Sequence, residues 1–235
     1  MSLLREAQQL GHSISASQEL SGELVIGATV SLAPTVIPEL LARLANAHSR
    51  LRVRVVVRGA NELLSMLELG GLELLVSYAI STPLLRLKSE TLFHSQFGVI
   101  AYQDCFAVDR RTLSPSTLVG LPCAILDNFV SRQRLFDYLS SVEGGVDIDV
   151  HYPVGTLALC IELVRRKLAV AIIPLFPPLI RNLPPEVRWF ELEPTPFPLS
   201  ATVSWLAKIS LSPSAQALLD EVAKLGQVTK WAALP

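Results

Sequence analysis

The residues in this sequence best placed to do chemistry are two hydroxyls two positions apart, Thr29 and Ser31, in the stretch Ala28-Thr-Val-Ser-Leu-Ala-Pro34. They follow a short apolar run, Leu24 to Gly27, that reads as a strand, and precede an amphipathic run, Val36 to Ala47, that reads as a helix. A helix N-terminus presents unsatisfied N–H groups and the positive end of the helix dipole, both suited to an anion or a polar ligand group. Hydroxyls at that point add donors of the same kind. The competing reading is that Ser31 only caps the helix. The choice depends on whether this loop opens onto a cleft.

Other chemistry finds little support. Cys105, Cys123 and Cys160 are far apart, lack Cys-x-x-Cys spacing and sit in apolar surroundings, so they read as small buried hydrophobes in a reducing compartment. His12, His48, His94 and His151 are isolated. No metal and no cofactor is expected. No Ser-His-Asp set, carboxylate pair or phosphate-cradling glycine loop stands out, which makes an enzyme a poor reading.

Composition bounds the rest. A chain of 235 residues makes one large domain or two small ones. With 50% hydrophobic and 17% charged residues it builds a sizeable core, and disorder is excluded as a description of the whole. A net charge of −1 is not the footprint of a domain that grips nucleic acid by itself. No run approaches the ~18 apolar residues of a membrane span. No export signal is visible in residues 1–20, so the expected setting is cytoplasmic.

The elements that must position Thr29 and Ser31 follow from periodicity. After the helix at 36–47, with Pro38 tolerated only near its start, Arg52 to Arg58 alternates as a half-buried strand with Arg52, Arg54 and Arg58 outward. Asn61 caps a helix that ends at Gly70-Gly71, and Leu72 to Val76 is a buried strand. This β-α-β-α-β order predicts a parallel sheet covered by helices. Two extended runs follow, Leu85 to Phe93 and Phe97 to Tyr102. The rhythm resumes with strands at 123–126, 147–151 and 169–173 and helices at 131–142 and 156–166. The proline-rich stretch 174–198 encloses a strand at 187–192, and a strand at 201–207 precedes a helix opened by Ser212-Pro213. The expected fold class is α/β: two Rossmann-like subdomains joined by crossover strands, with ligands bound beyond the carboxyl ends of strands and at the seam between lobes. The loops at 28–35, 77–83, 127–131 and 174 should then converge on one cleft.

Several stretches together resemble the effector-binding domain of LysR-type transcriptional regulators. They are Ser21-Gly-Glu-Leu-Val-Ile-Gly27, Ile37-Pro-Glu-Leu-Leu41, Gly71-Leu-Glu-Leu-Leu-Val76, Val164-Arg-Arg-Lys-Leu-Ala-Val-Ala-Ile-Ile-Pro174 and Leu211-Ser-Pro-Ser-Ala-Gln-Ala-Leu-Leu219. Each is loose alone; in this order and spacing, from about Ser21 to Leu225, they are specific. Three departures stand out. Glu73 replaces the family's usual Asp, Lys167 and Ala169 replace two glycines, and Leu32 stands where several members carry a polar residue.

The resemblance implies a type 2 periplasmic-binding-protein-like fold with residues 1–20 as the end of a linker helix. Residues 22–97 plus 204–228 form subdomain I and 98–203 form subdomain II. It implies a small-molecule effector, a carboxylate or aromatic acid, held between the lobes by Thr29, Ser31, Leu32, Ser77, Tyr78, Asn128, Ser131, Arg132, Gly155 and Thr156. Arg132 would add a bidentate clamp, against the alternative of a solvated helix face; Ser131 competes with a capping role, and Tyr78 with packing. It also implies a homodimer in which helix 36–47 lies opposite helix 131–142 of the partner, with a tetramer in the full-length regulator. The Arg52, Arg54 and Arg58 stripe reads as a solvated sheet edge or dimer rim rather than a DNA contact. DNA would be met only through a winged helix-turn-helix, and none precedes residue 20 here, so this chain is expected to sense without binding DNA. A periplasmic-type solute-binding protein is the alternative, and a bilobal enzyme such as a deaminase comes third.

Overall fold

The computed structural model describes Leu20 and residues 22–79, 86–106, 111–127, 132–196 and 198–227. The linker helix expected over residues 1–20 lies outside these apart from Leu20.

The first half of the chain is built as its apolar spacing dictates. β1 (Gly22–Thr29), α1 (Ala33–Ala47), β2 (Leu51–Arg58), α2 (Ala60–Glu68) and β3 (Leu74–Tyr78) alternate. β1 runs parallel between β2 and β3, with Ile26 opposite Val55 on one side and Leu74 on the other. Its side chains divide between two layers. Leu24, Ile26 and Ala28 join the main core with Val36, Leu40 and Leu44 of α1, whereas Val25 packs on a smaller core of Leu63, Leu67, Leu72 and Leu75 under α2. Gly27 faces the same way as Val25 and lets that smaller core close. A Cβ there would come within 2.8 Å of Leu72 Cδ2 and 2.9 Å of Leu63 Cδ2.

Two helix starts differ from the sequence expectation. α1 begins at Ala33 rather than Val36, with Leu32 as its N-cap, so Pro38 falls inside the helix. Pro34 sits in the first turn, where no intrahelical N–H bond is lost, but Pro38 forfeits one. The helix continues because Val36, Ile37, Leu40 and Leu44 are all buried on one face. α2 starts two residues earlier than expected, with Gly59 as N-cap and Asn61 inside the first turn.

The second half contains β4 (Leu87–Tyr102), β5 (Thr112–Leu113), a 3-10 turn (Pro115–Leu118), β6 (Pro122–Leu126), α3 (Arg132–Ser141), β7 (Asp149–Val154), α4 (Leu157–Arg165), β8 (Val170–Leu175), α5 (Pro177–Arg181), β9 (Val187–Leu192), β10 (Leu199–Leu206) and α6 (Pro213–Gln227). The two runs expected at 85–93 and 97–102 are one strand of 16 residues. From Leu87 to Ser95 it pairs antiparallel with β10; from Gln96 onward it pairs with β8 on one side, and from Gly98 with β9 on the other. The polar break at His94-Ser-Gln96 is therefore a change of sheet, not a loop. The first sheet has the order β2-β1-β3-β10-β4, and the second is β7-β6-β8-β4-β9 with β5 added beside β9. Two Rossmann-like lobes thus share β4 and are tied again by the chain running from β9 into β10. By pairing, the chain leaves the first sheet after Ser95 and is back in it from Leu199, earlier than the boundaries expected at 97/98 and 203/204.

Two of the departures noted in the sequence have structural explanations. The Glu73 carboxylate accepts the Ser212 N–H at 3.2 Å, at the start of α6, where Ser212 Oγ also accepts the Ala215 N–H at 3.1 Å. A negative group suits that helix end, and Glu73 anchors the last helix to the first lobe. Lys167 follows the C-cap of α4 with φ 58°, donating its N–H to the Val164 carbonyl at 2.9 Å, while the Leu168 N–H reaches the Leu163 carbonyl at 3.0 Å. This closing geometry favours glycine, and a lysine there costs about 1 kcal/mol. Its ammonium lies 4.2 Å from the Tyr102 ring centroid. Lys167 and Ala169 line a groove at the amino end of β8, the end opposite to its carboxyl end at Leu175.

Gly98 is required where β4 enters the second sheet. A Cβ there would lie 2.5 Å from the Phe190 carbonyl oxygen and closer still to Leu175 Cδ1. Gly98→Ala is expected to destabilise the protein by about 2 kcal/mol or more, since an overpacked core cannot move a backbone oxygen cheaply. Urea unfolding should show a lower midpoint at unchanged slope; an unchanged midpoint would mean the crossing has slack.

Candidate functional site

Strand register gathers hydroxyls on one face of the first sheet, at its carboxyl end. Ala28 stands opposite Val76 at the last paired position of β1 and β3, so Thr29 and Ser77 are the next neighbours across that pair. By strand alternation both side chains point to the layer that holds α2. Across the next pairings, Ser77 faces Thr202 of β10, and Thr202 faces Thr91 of β4. On the outer side Thr29 pairs with Arg58. Thr202 is satisfied: its Oγ1 donates to the Ser77 carbonyl at 3.3 Å and lies 3.3 Å from Ser204 Oγ. Thr29 Oγ1 and Ser77 Oγ are buried and have no hydrogen-bond partner among the described residues, Ser77 being 2% exposed. A buried hydroxyl left unpaired is costly, about 1–3 kcal/mol each.

Ser31 lies in the turn between β1 and α1 and is buried. It is not the helix cap: that position belongs to Leu32, which supplies no side-chain hydrogen bond to the helix. In the first turn of α1 the Thr35 and Val36 N–H groups donate to the Leu32 carbonyl and Pro34 has none, which leaves the Ala33 N–H beside Thr29 and Ser31. Thr35, three residues into the helix, turns its hydroxyl back to the Leu32 carbonyl at 3.4 Å.

The other residues singled out from the sequence are placed differently. Leu32 is fully buried in the main core, so its side chain offers no surface at the loop in this conformation. Tyr78 points to the opposite face from Ser77, into the core with Phe93; burial pushes its phenol up, and a hydrogen bond with Ser95 tempers the shift. In the second lobe, Gly155 and Thr156 stand at the carboxyl end of β7. Thr156 is the N-cap of α4, its Oγ1 accepting the Leu159 N–H at 3.2 Å. Arg132 opens α3 and is ion-paired with Asp127 just beyond β6, its guanidinium 5.8 Å from the Phe136 ring. Asn128 and Ser131 lie outside the described residues.

The cysteine expectation needs one correction. Cys123 and Cys160 are buried, and burial pushes their thiols up to about 11 and about 12, but Cys105 is exposed, in the turn after β4. Among the described residues no cluster of three or more His, Cys, Asp and Glu side chains could hold a metal ion.

The hinge strands add polar groups that were not picked out from the sequence. Ser200 Oγ lies 3.0 Å from His94 Nδ1, linking β10 to β4 one row beyond Thr202 and Thr91. A signal was present: Ser200, Thr202 and Ser204 alternate with apolar residues along β10. Nothing local tells that this face meets Ser77, because β3 and β10 are more than a hundred residues apart.

Two lobes hinged on shared strands, with hydroxyls and an uncapped helix start at the carboxyl end of one sheet, define a two-lobed ligand-binding domain of the type 2 periplasmic-binding-protein-like class. The chain belongs to the LysR substrate binding domain family, whose model matches residues 17–227, and so is the effector-sensing domain of a LysR-type transcriptional regulator. Solved structures agree on the fold. The C-terminal domain of a probable LysR family regulator from Rhodococcus sp. RHA1 superposes with a TM-score of 0.74 at 21% identity, covering 87% of this chain and 100% of that one. HinK, a LysR family regulator from Pseudomonas aeruginosa, gives 0.75 at 19% identity, covering 96% and 78%. A full-length OxyR variant from Pseudomonas aeruginosa gives 0.74 at 17% identity, covering 94% and 76%. No curated protein matches the chain.

The unpaired hydroxyls make a prediction about the unliganded domain. Thr29→Val and Ser77→Ala remove polar atoms that have no partner, so each is expected to stabilise the protein by about 1 kcal/mol rather than weaken it. Thermal and urea unfolding of the two variants checks this; a loss of stability in both would show that the hydroxyls are satisfied in solution.

Proposed function

We propose that the chain binds a small anionic effector, a carboxylate or aromatic acid, between its lobes, and that the pair of buried unpartnered hydroxyls, Thr29 Oγ1 and Ser77 Oγ, carries this reading. Ser31 and the Ala33 N–H at the start of α1 supply further donors, and the helix dipole favours negative charge there. From the second lobe, Thr156 and Gly155 at the start of α4, Arg132, Asn128 and Ser131 contribute to the ligand site. Leu32 contributes through the loop backbone and Tyr78 by supporting Ser77 from behind. The binding mode is that of a sensor with no catalytic step, and no described helix is long and apolar enough to cross a membrane. A periplasmic-type solute-binding protein is not favoured.

Effector binding alters lobe closure only through a different affinity for the open and closed arrangements. That change passes to a homodimer. In each chain β2 and β7 are the outermost strands, at opposite ends of the strand order. Arg52, Arg54 and Arg58 are exposed on β2, and Asp149 is exposed on β7 with His151 at 3.6 Å. The two edges differ in sign, which suits an antiparallel pair with α1 opposite the partner's α3, in a cytoplasmic regulator that meets DNA through an N-terminal domain and assembles as a tetramer at full length.

Thermal-shift screening of small carboxylates and aromatic acids finds the ligand. Each charge-assisted hydrogen bond is worth about 1.5–3 kcal/mol, so Thr29→Val and Ser77→Ala should each lower the affinity of a hit by about 10- to 100-fold. A hit whose affinity survives Thr29→Ala combined with Ser31→Ala refutes the first-loop site.

The dimer has its own test by sedimentation velocity. Arg54→Glu should weaken self-association about tenfold, and adding Asp149→Arg should restore it. Self-association indifferent to both changes rules these edges out.

A further inference from the structure

The hinge holds a second cavity that the first-loop site does not use. It encloses about 250 Å³ where β4 passes from one sheet to the other. His94 and Gln96 of β4, Trp189 and Glu191 of β9, Phe176, and Ile180 of α5 line it. Its walls therefore come from β4 at the crossing, from β9, from Pro198 just before β10, and from a helix that packs on α1 of the other lobe. The His94 imidazole is anchored to β10 through Ser200.

The chemistry of the lining is one-sided. Glu191 is the only Asp, Glu, Lys or Arg in it, and among the described residues Glu191 makes no ion pair. The remainder is aromatic or aliphatic apart from His94, Ser95 and Gln96. Trp189 already acts as a platform for a cation, since the Arg111 guanidinium lies 4.7 Å from its ring centroid. A carboxylate beside an indole and an apolar wall is a recognition set for a positively charged group with a hydrocarbon body. The volume is below the ~300–1,000 Å³ of drug-sized ligand pockets, which restricts the occupant to a small molecule.

We propose that this cavity is a second ligand site, separate from the first-loop site, and that it takes a small organic amine. The ammonium pairs with Glu191 while the body packs against Phe176, Ile180 and Trp189. Because the occupant touches β4 at the crossing and α5, which packs on α1 of the other lobe, it couples to lobe arrangement, and by linkage it changes effector affinity at the first-loop site.

Phenethylamine and 3-phenylpropionate, matched in shape and opposite in charge, are titrated calorimetrically into the wild type, Glu191→Gln and the double variant Thr29→Val/Ser77→Ala. The amine is expected to bind the wild type and the double variant equally, and to lose about tenfold or more in affinity with Glu191→Gln, whose fold is checked by circular dichroism. 3-Phenylpropionate should not displace it. Independently, the amine should change tryptophan emission in the wild type and not in Trp189→Phe. The proposal is overturned if the amine fails to bind, binds Glu191→Gln as well as the wild type, or is lost in the double variant, the last result placing it in the first-loop site. Failure of carboxylates at the first loop leaves these amine measurements unaffected, so the two readings fail separately.

Discussion

The structure depends on a single strand having neighbours in two sheets. β4 gives its first part to the lobe containing β1 and its last part to the lobe containing β8, and the chain from β9 to β10 follows it back in the opposite direction. Each lobe is a parallel sheet whose strands cannot extend the other, so only this antiparallel pair crosses. Backbone hydrogen bonds on both sides of the crossing hold it in register, and Gly98 lets β8 and β9 pack closely against β4 from either side. The stacked Phe93 and Phe176 rings, 5.3 Å between centroids, fill the space beside the change of sheet.

That constraint decides where binding groups accumulate. The parallel strands β1 and β3 end at the same level, and the hinge strands run past them. Thr202, inside the row, finds the Ser77 carbonyl; Thr29 and Ser77 find nothing among the described residues. An enclosed hydroxyl without a partner is an unfavourable arrangement for folding and a favourable one for a ligand that brings the missing acceptor. The fully buried Leu32 is the counterpart. It fastens the loop to the core and keeps Ser31 and the start of α1 in place.

The two outer strands complete the arrangement. β2 and β7 leave unpaired edges at opposite ends of the molecule, and charged residues on them, Arg52, Arg54 and Arg58 against Asp149, discourage indiscriminate strand pairing. Lys167 belongs to neither the cleft nor these edges. Its positive φ and its position over Tyr102 are local features of the far end of the second lobe.

Periodicity and turn residues in the sequence alone determined most of the elements: the alternating β-α-β-α-β start, the strand Val187–Leu192, the Ser212-Pro213 helix start and the outward arginines of β2 are where local patterning puts them. They were legible because helix and strand periods depend only on neighbouring residues. The sequence also picked out Thr29 and Ser31, since hydroxyls after an apolar strand are a local signal, whereas Ser77 came only with the resemblance to the family. Tertiary structure alone decided that the runs on either side of His94-Ser-Gln96 form one strand, because a polar break looks the same whether the chain turns or changes sheet. It decided that Ser77 and Tyr78, adjacent in sequence, face opposite layers, one toward the hydroxyl row and one into the core. It decided, too, that Ser31 is no cap and that Cys105 is exposed. Each of these depends on which distant strand or helix arrives alongside, and register between elements more than a hundred residues apart is set by the packing of the whole core rather than by any local pattern.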